Sequence, residues 1–385
     1  MTILPSFLSE LIDLRREIHR HPELSSEERT TAERLIQFIS AHSKPSQIVK
    51  NIGGHGFLVI FDSGQPGKTI AIRAELDALP IHEETNLSYK SEISGVSHQC
   101  GHDGQMTILA GLAHLIGQQP PKTGKVILIF QPAEETGEGA RRMLADAKFN
   151  QFPIDFIFGF HNLPGFPFGK IVVREQTFCA ASCGMVTALT GHSSHASHPE
   201  SAASPAMALA ETILSLSAIP HAPDSSEDFS LLTVIHARLG EIAFGTTPGK
   251  AIIMATLRAY TDERLDLLKN ETEKLIRTIS AKYHLACEFS YRDIFSACIN
   301  HPDAVRQIRN AAESCGMEKI ELEKPFRWSE DFGYFASRFP GAYFGIGAGE
   351  NHPDLHDAIY NFPDELIEPG LEILQRIAGS VTNSL

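Results

Sequence analysis

Long apolar runs are missing from this chain of 385 residues. No stretch approaches the roughly 18 consecutive apolar residues that a membrane-spanning helix needs. A basic excess is missing too: 33 Lys and Arg stand against 47 Asp and Glu, a formal net charge of −14. With no basic stripe to offset it, that balance excludes a nucleic-acid backbone as the expected partner. The opening residues lack a basic n-region, so no secretory leader and a cytoplasmic location are expected. Sequons at Asn86 and Asn270 then carry no weight. Six Cys are too few for a disulfide framework in a chain this long, and Cys179 and Cys183 read as plain buried thiols. There is no Gly-x-Ser-x-Gly elbow, which disfavours a serine hydrolase. Gly345, Gly347 and Gly349 form a Gly-x-Gly-x-Gly, but Glu350-Asn351-His352-Pro353 follows where a phosphate-binding loop would open a helix. Internal repeats and low-complexity tracts are absent.

What is present fits an ordinary soluble globular composition, 42% hydrophobic and 21% charged, in a chain long enough for two domains. Amphipathic periodicity predicts helices over 7–19 and 26–41, the second capped at Ser25 or Ser26. Short apolar runs at 57–61, 69–74, 125–130, 154–160 and 342–346 read as strands. Helical patterns fall at 106–116, 139–147, 302–315 and 364–380. Continuous apolar strands separated by helices imply an α/β fold around a mostly parallel sheet covered on both faces. Between them the order changes to βαββαβ: strands at 185–190, 229–239, 251–260 and 285–292, helices at 204–217 and 262–284, the last capped at Asp262. The expected organisation is a larger domain from 1–182 and 295–385, with 183–294 inserted as a small α+β unit.

The chemistry concentrates in the run Ser97-His98-Gln99-Cys100-Gly101-His102-Asp103-Gly104-Gln105. A thiolate, a neutral imidazole and carboxylates are the groups that hold zinc-like divalent cations. Further candidates follow predicted strands: Asp77 after 69–74, Glu134 and Glu135 after 125–130, His161 after 154–160, His352 and His356 after 342–346. Open α/β sheets bind ligands beyond the carboxyl ends of their strands, so these positions converge on one crevice. Adjacent Glu residues on a loop point in different directions, leaving one for a cation and one for a substrate. Water on a divalent cation has its pKa lowered toward about 7, and a free carboxylate beside it can carry the proton to a leaving amine. The pattern therefore suggests metal-assisted hydrolysis.

Several stretches together resemble the M20-type metallopeptidases and amidohydrolases, in particular the group of hippurate hydrolases, N-acyl-amino-acid deacylases and auxin-conjugate hydrolases. They are HRHPELS at 19–25, IRAELDALPI at 72–81, HQCGHDG at 98–104, VILIFQPAEE at 126–135, GFHNLPGFPFGKI at 159–171, GHSSHASHPE at 191–200, RWSEDF at 327–332 and NHPDLHDAIYNFPDELI at 351–367. The resemblance implies a metallohydrolase catalytic domain with a ferredoxin-like inserted lid that mediates homodimerisation. It implies metal ligands Cys100, His102, Glu135, His161 and His356 around two divalent ions, Zn²⁺ or Mn²⁺. Glu134 would be the general acid/base, and Asp77 would orient a ligating imidazole. His195 would serve the developing oxyanion in the partner's reaction centre, and Arg258 the substrate carboxylate. His356 is preferred to His352 because the family pattern sets the ligand in a Leu-His pair before the aromatic at Tyr360. Gln105 departs from the family, which usually has His there, and this bears on metal preference.

The leading expectation is hydrolysis of the amide bond of a small-molecule N-acyl amino acid or related conjugate, with no nucleic-acid or membrane partner. Two alternatives remain. One is a catalytically silent metal- or ligand-binding homologue, hinted at by Gln105; the other is a dipeptidase or aminopeptidase of the same fold.

Overall fold

Lys125–Gln131 carries Val, Ile, Leu and Phe in unbroken succession, and such a strand needs cover on both faces. It has that cover. In the computed structural model, which describes residues 4–219 and 228–382, Val126 through Gln131 are buried without a break, as is all of Thr69–Glu75. These strands are central in an eight-stranded sheet. Its spatial order is Gln47–Ile52, Gly56–Asp62, Lys125–Gln131, Thr69–Glu75, Phe156–Pro164, Gly341–Gly349, Ile171–Val173 and Lys319–Glu321. The four strands from Lys125–Gln131 to Gly341–Gly349 run parallel. The pair Gln47–Ile52 and Gly56–Asp62 adds an antiparallel margin, so the sheet is mixed with a parallel centre. Phe57 and Phe130 stack across that junction at 4.4 Å.

Helix Pro5–Arg20 starts on a proline, whose missing N–H costs nothing in a first turn, and buries Phe7, Leu11, Leu14 and Ile18 along one stripe. The second helix is Arg29–His42, preceded by Glu28, where the sequence suggested a start at 26 with a serine cap. The reason is local. Ser26 adopts a left-handed φ of 73°, and the Ser25 hydroxyl donates to Asp77 rather than to a helix N-terminus. The helix expected from 106 begins earlier, at His102, because Gly101 turns the chain with φ 87° and the first helical turn is buried. Its Gly104 lies against the Phe362 ring, where a Cβ would come within 2.3 Å.

By its contacts the chain divides into two compact units: Met1–Phe178 with Cys298–Glu323 and Asp331–Leu385, and Cys179–Ala297 with Lys324–Glu330. The second holds strands Ala181–Thr190, Ser230–Leu239, Lys250–Ala259 and Ala286–Phe295 and helices Ala206–Ser217 and Asp262–Lys282, in the order βαββαβ. All strand pairs are antiparallel, and the sheet order by sequence is fourth, first, third, second, a ferredoxin-like arrangement. Burial alternates along Lys250–Ala259, with the apolar side under the helices. Thr261, not Asp262, caps the long helix by accepting from Arg264 N–H. Asp262 instead accepts from Ser296 Oγ and Ala297 N–H. Among the described residues no helix is long and apolar enough to cross a membrane.

Candidate metal centre

Parallel strands deliver their carboxyl ends to one side of a sheet, and most of the sequence candidates gather there in the first unit. Asp77 follows Thr69–Glu75, Glu134 and Glu135 follow Lys125–Gln131, and His161 lies within Phe156–Pro164. Cys100 and His102 come from the turn into the His102–Gln118 helix. His356 sits in the loop after Gly341–Gly349 with a left-handed φ of 66°, its N–H donating to Gln99 O at 2.7 Å.

These side chains form three overlapping donor sets, each with its ligand-type atoms within 4.8 Å of one another: Cys100, His102 and His161; Cys100, Glu135 and His356; His102, Glu134 and Glu135. Cys100 Sγ lies 3.4 Å from His161 Nε2. Glu135 Oε1 lies 3.8 Å from His102 Nε2 and 3.7 Å from His356 Nε2. Both buried imidazoles anchor Nδ1 on a backbone carbonyl, His102 on Asp77 O at 2.9 Å and His161 on Asn162 O at 2.8 Å. A carbonyl can only accept, so Nδ1 carries the proton and Nε2 offers its lone pair.

Electrostatics point the same way. Burial, reinforced by neighbouring His161, holds His102 well below the ordinary histidine range, and burial lowers His356. Neutral imidazole is the form that binds a cation. His102 Nε2 is buried with no hydrogen-bond partner among the described residues, a cost that a ligand would remove. A thiol, imidazoles and carboxylates facing one another thus fit a soft-to-borderline divalent cation.

Each member is held from behind. Asp77 Oδ2 accepts from Ser25 Oγ at 2.7 Å and from Glu135 N–H at 3.0 Å. Burial raises the Asp77 carboxyl, and those hydrogen bonds oppose the rise. Glu134 is buried, and its Oε1 accepts from Asp331 N–H at 3.3 Å. Asp331 is fixed by Arg73 at 2.6 Å, by Gln131 at 2.8 Å and by Ala140 N–H at 2.8 Å. Asn162 donates to Tyr360 Oη at 2.6 Å and to Cys100 O at 3.3 Å, tying down the turn at Gly101. Gln105 joins this scaffold rather than the donor sets. Its amide lies 2.9 Å from Asn162 and, with nitrogen and oxygen exchanged, donates to Glu75 and to Phe160 O.

Two candidates from the 97–105 and 351–367 stretches fall outside the donor sets. Asp103 turns away to Arg15 at 3.3 Å and His19 at 2.8 Å, which hold it well below the usual carboxylate range against the cost of burial. His352 Nε2 bonds to Asn361 O at 2.8 Å. His195 and Arg258 belong to the second unit. His195 Nδ1 accepts from Ser197 N–H at 3.1 Å, which leaves Nε2 as its N–H donor. Arg258 donates to Arg327 O at 3.0 Å and Ser329 Oγ at 3.1 Å, is lowered by burial, and pairs with no carboxylate among the described residues. The supporting residues Glu28, Arg15, His19, Asn162 and Asp331 were not singled out by sequence reasoning. The only signal for them was their place inside or beside the matching stretches.

The model of peptidase family M20/M25/M40 matches residues 71–380. An uncharacterized hydrolase of Staphylococcus epidermidis is 30% identical over 361 residues, covering 92% of this chain and 93% of that protein. The crystal structure of the Bacillus subtilis YxeP protein, a dinuclear metal-binding peptidase from the M20 family, superposes with a TM-score of 0.83 at 26% identity, over 99% of each chain. An aminobenzoyl-glutamate utilization protein from Klebsiella pneumoniae shares the fold, with a TM-score of 0.72 at 21% identity over 97% of this chain and 96% of that one. The chain belongs to peptidase family M20/M25/M40 and is a metal-dependent hydrolase acting on amide bonds.

Proposed function

We propose that the protein is a deacylase that cleaves the amide bond of N-acyl amino acids or closely related conjugates. Cys100, His102, Glu135, His161 and His356 would hold two divalent ions, zinc or manganese. The overlap of the donor sets, with Cys100, His102 and Glu135 each belonging to two, supports a paired centre. When bound, the ions polarise the scissile carbonyl and lower the pKa of water. The observation that carries the reading is the division of labour in one turn. Glu135 faces two imidazoles, while its neighbour Glu134 is buried, held by Asp331 N–H, and grouped with the same donors. Glu134 takes a proton from water and returns it to the leaving amine. Asp77 keeps His102 in its ligating tautomer through the backbone carbonyl at 2.9 Å. His195 would donate from Nε2 to the oxyanion developing in the partner subunit's reaction centre, and Arg258, which pairs with no carboxylate among the described residues, would receive the substrate carboxylate.

The enzyme acts as a homodimer in this reading. Ser230–Leu239 is an edge strand whose outer side pairs with no strand among the described residues. Ile235 on it, and Ile242 and Phe244 just beyond, are exposed. An open apolar edge of this kind is suited to a second copy.

The test is a panel of N-acyl amino acids and dipeptides, assayed with zinc, with manganese and with chelator. Acyl amino acids turn over best, chelator abolishes turnover, and Glu134→Gln lowers kcat by about 10²–10⁴-fold with metal content unchanged. Preference for unblocked dipeptides would turn the reading to a peptidase. Full activity of Glu134→Gln would remove the assigned proton carrier.

A further inference from the structure

The turn that carries Glu134 and Glu135 is entered through Ala133, a non-glycine residue with a left-handed φ of 50°. Such a conformation costs energy and persists only where surrounding groups impose it. Three consecutive backbone N–H groups in this turn end on two buried carboxylates. The Ala133 N–H donates to Glu28 Oε1 at 2.8 Å, and the Glu135 N–H to Asp77 Oδ2 at 3.0 Å; the Glu134 N–H also stabilises Asp77. Glu28 Oε1 accepts from Ser26 N–H as well, at 2.6 Å, so its side chain is pinned to the backbone of Ser26 on one side and to the turn on the other.

Glu28 serves the turn through an acceptor oxygen, not through its charge. Glu28 is fully buried, and among the described residues its Oε2 has no hydrogen-bond partner and no Lys or Arg pairs with it. Burial and the nearby Asp77 push its carboxyl up to about 7. A neutral side chain of the same shape would sit there at lower cost.

We infer that Glu28 is a positioning residue of the reaction, its carboxylate holding the left-handed turn at Ala133 so that Glu134 points at the reacting atoms. This rests on the assignment of Glu134 as proton carrier. What the turn requires is an acceptor oxygen at the reach of a glutamate; the charge is dispensable. Gln keeps that oxygen, Asp falls one methylene short, and Ala removes it.

The experiment is steady-state kinetics on metal-loaded wild type, Glu28→Gln, Glu28→Asp and Glu28→Ala, with metal content and melting temperature measured for each. Amide hydrogen exchange over residues 133–135 is followed in parallel. Asp and Ala should lower kcat about 10-fold to 10²-fold with KM within about two-fold, as misplacement by roughly an ångström does. They should also speed exchange at 133–135, while Gln restores both to near wild type. Unchanged kcat in Asp and Ala, or equal loss in Gln, overturns the inference. If Ala fails to fold, Asp against Gln still decides. Glu134→Gln is measured alongside: activity surviving there is failure of the underlying assignment, whereas its loss together with unimpaired Glu28→Asp is failure of this inference alone.

Discussion

Two strands of comparable β-forming character live under opposite conditions. Thr69–Glu75 is buried at every position, whereas Ser230–Leu239 is largely exposed beyond Thr233 and, among the described residues, pairs with no strand along one edge. On the enclosed strand, Arg73 and Glu75 cannot reach water, so each must be answered inside the protein. Arg73 meets Glu75, Gln131 and Asp331, and Asp331 in turn reaches Glu134. On the open strand, His236 and Arg238 need no such answer. A charged residue therefore carries information about the site in one sheet and almost none in the other. Burial is what makes a polar side chain legible.

The comparison breaks most readily at Phe130, fully buried and stacked on Phe57 at 4.4 Å. Phe130→Ala should cost about 3–5 kcal/mol, because the packed strands on either side cannot collapse into the space left. Denaturant melts measure it. A loss below about 1 kcal/mol would mean that the enclosed sheet is less tightly packed than its burial implies.

Sequence pattern reached the enclosed sheet through runs such as KVILIF, and the inserted unit through its βαββαβ order. It misplaced the ends of elements for physical reasons: the helix at His102 starts four residues early because Gly101 supplies a left-handed turn that periodicity does not register. Cys100, His102, Glu134, Glu135 and His161 were legible because each is a ligand-type residue near a strand end or in a dense polar run. Their supports were not. Glu28 meets Ala133 across 105 residues of sequence, and Asp331 meets Arg73 across 258, separations at which no local pattern survives. The roles expected of His195 and Arg258 came from family resemblance alone.

Glu28 sharpens the comparison through pH. Its carboxyl is raised from 4.5 to about 7. Between those values the folded chain keeps a proton that the unfolded chain releases, so stability falls as pH rises and the loss is complete above 7. Glu28→Gln has no such titration. Its stability relative to wild type should improve by on the order of 3 kcal/mol between pH 4 and 8. Urea melts across that range decide it, and a difference that stays flat with pH would show that Glu28 is solvated like a surface acid.

The smallest effect belongs to the open edge. Ile235 is 61% exposed on a strand whose outer side pairs with no strand among the described residues, so Ile235→Lys removes little burial and introduces a charge that water already reaches. Within a monomer the change should move stability by no more than about 0.5 kcal/mol. Its larger consequence is for assembly: a lysine on the outer edge disfavours strand pairing with a second copy, the usual protection of such an edge. Sedimentation of the wild type should then report a dimer that the variant loosens. Melts at a concentration where both are monomeric should coincide. Should those monomer melts diverge by as much as Phe130→Ala, the edge is covered by its own chain, and the contrast between enclosed and open sheets disappears.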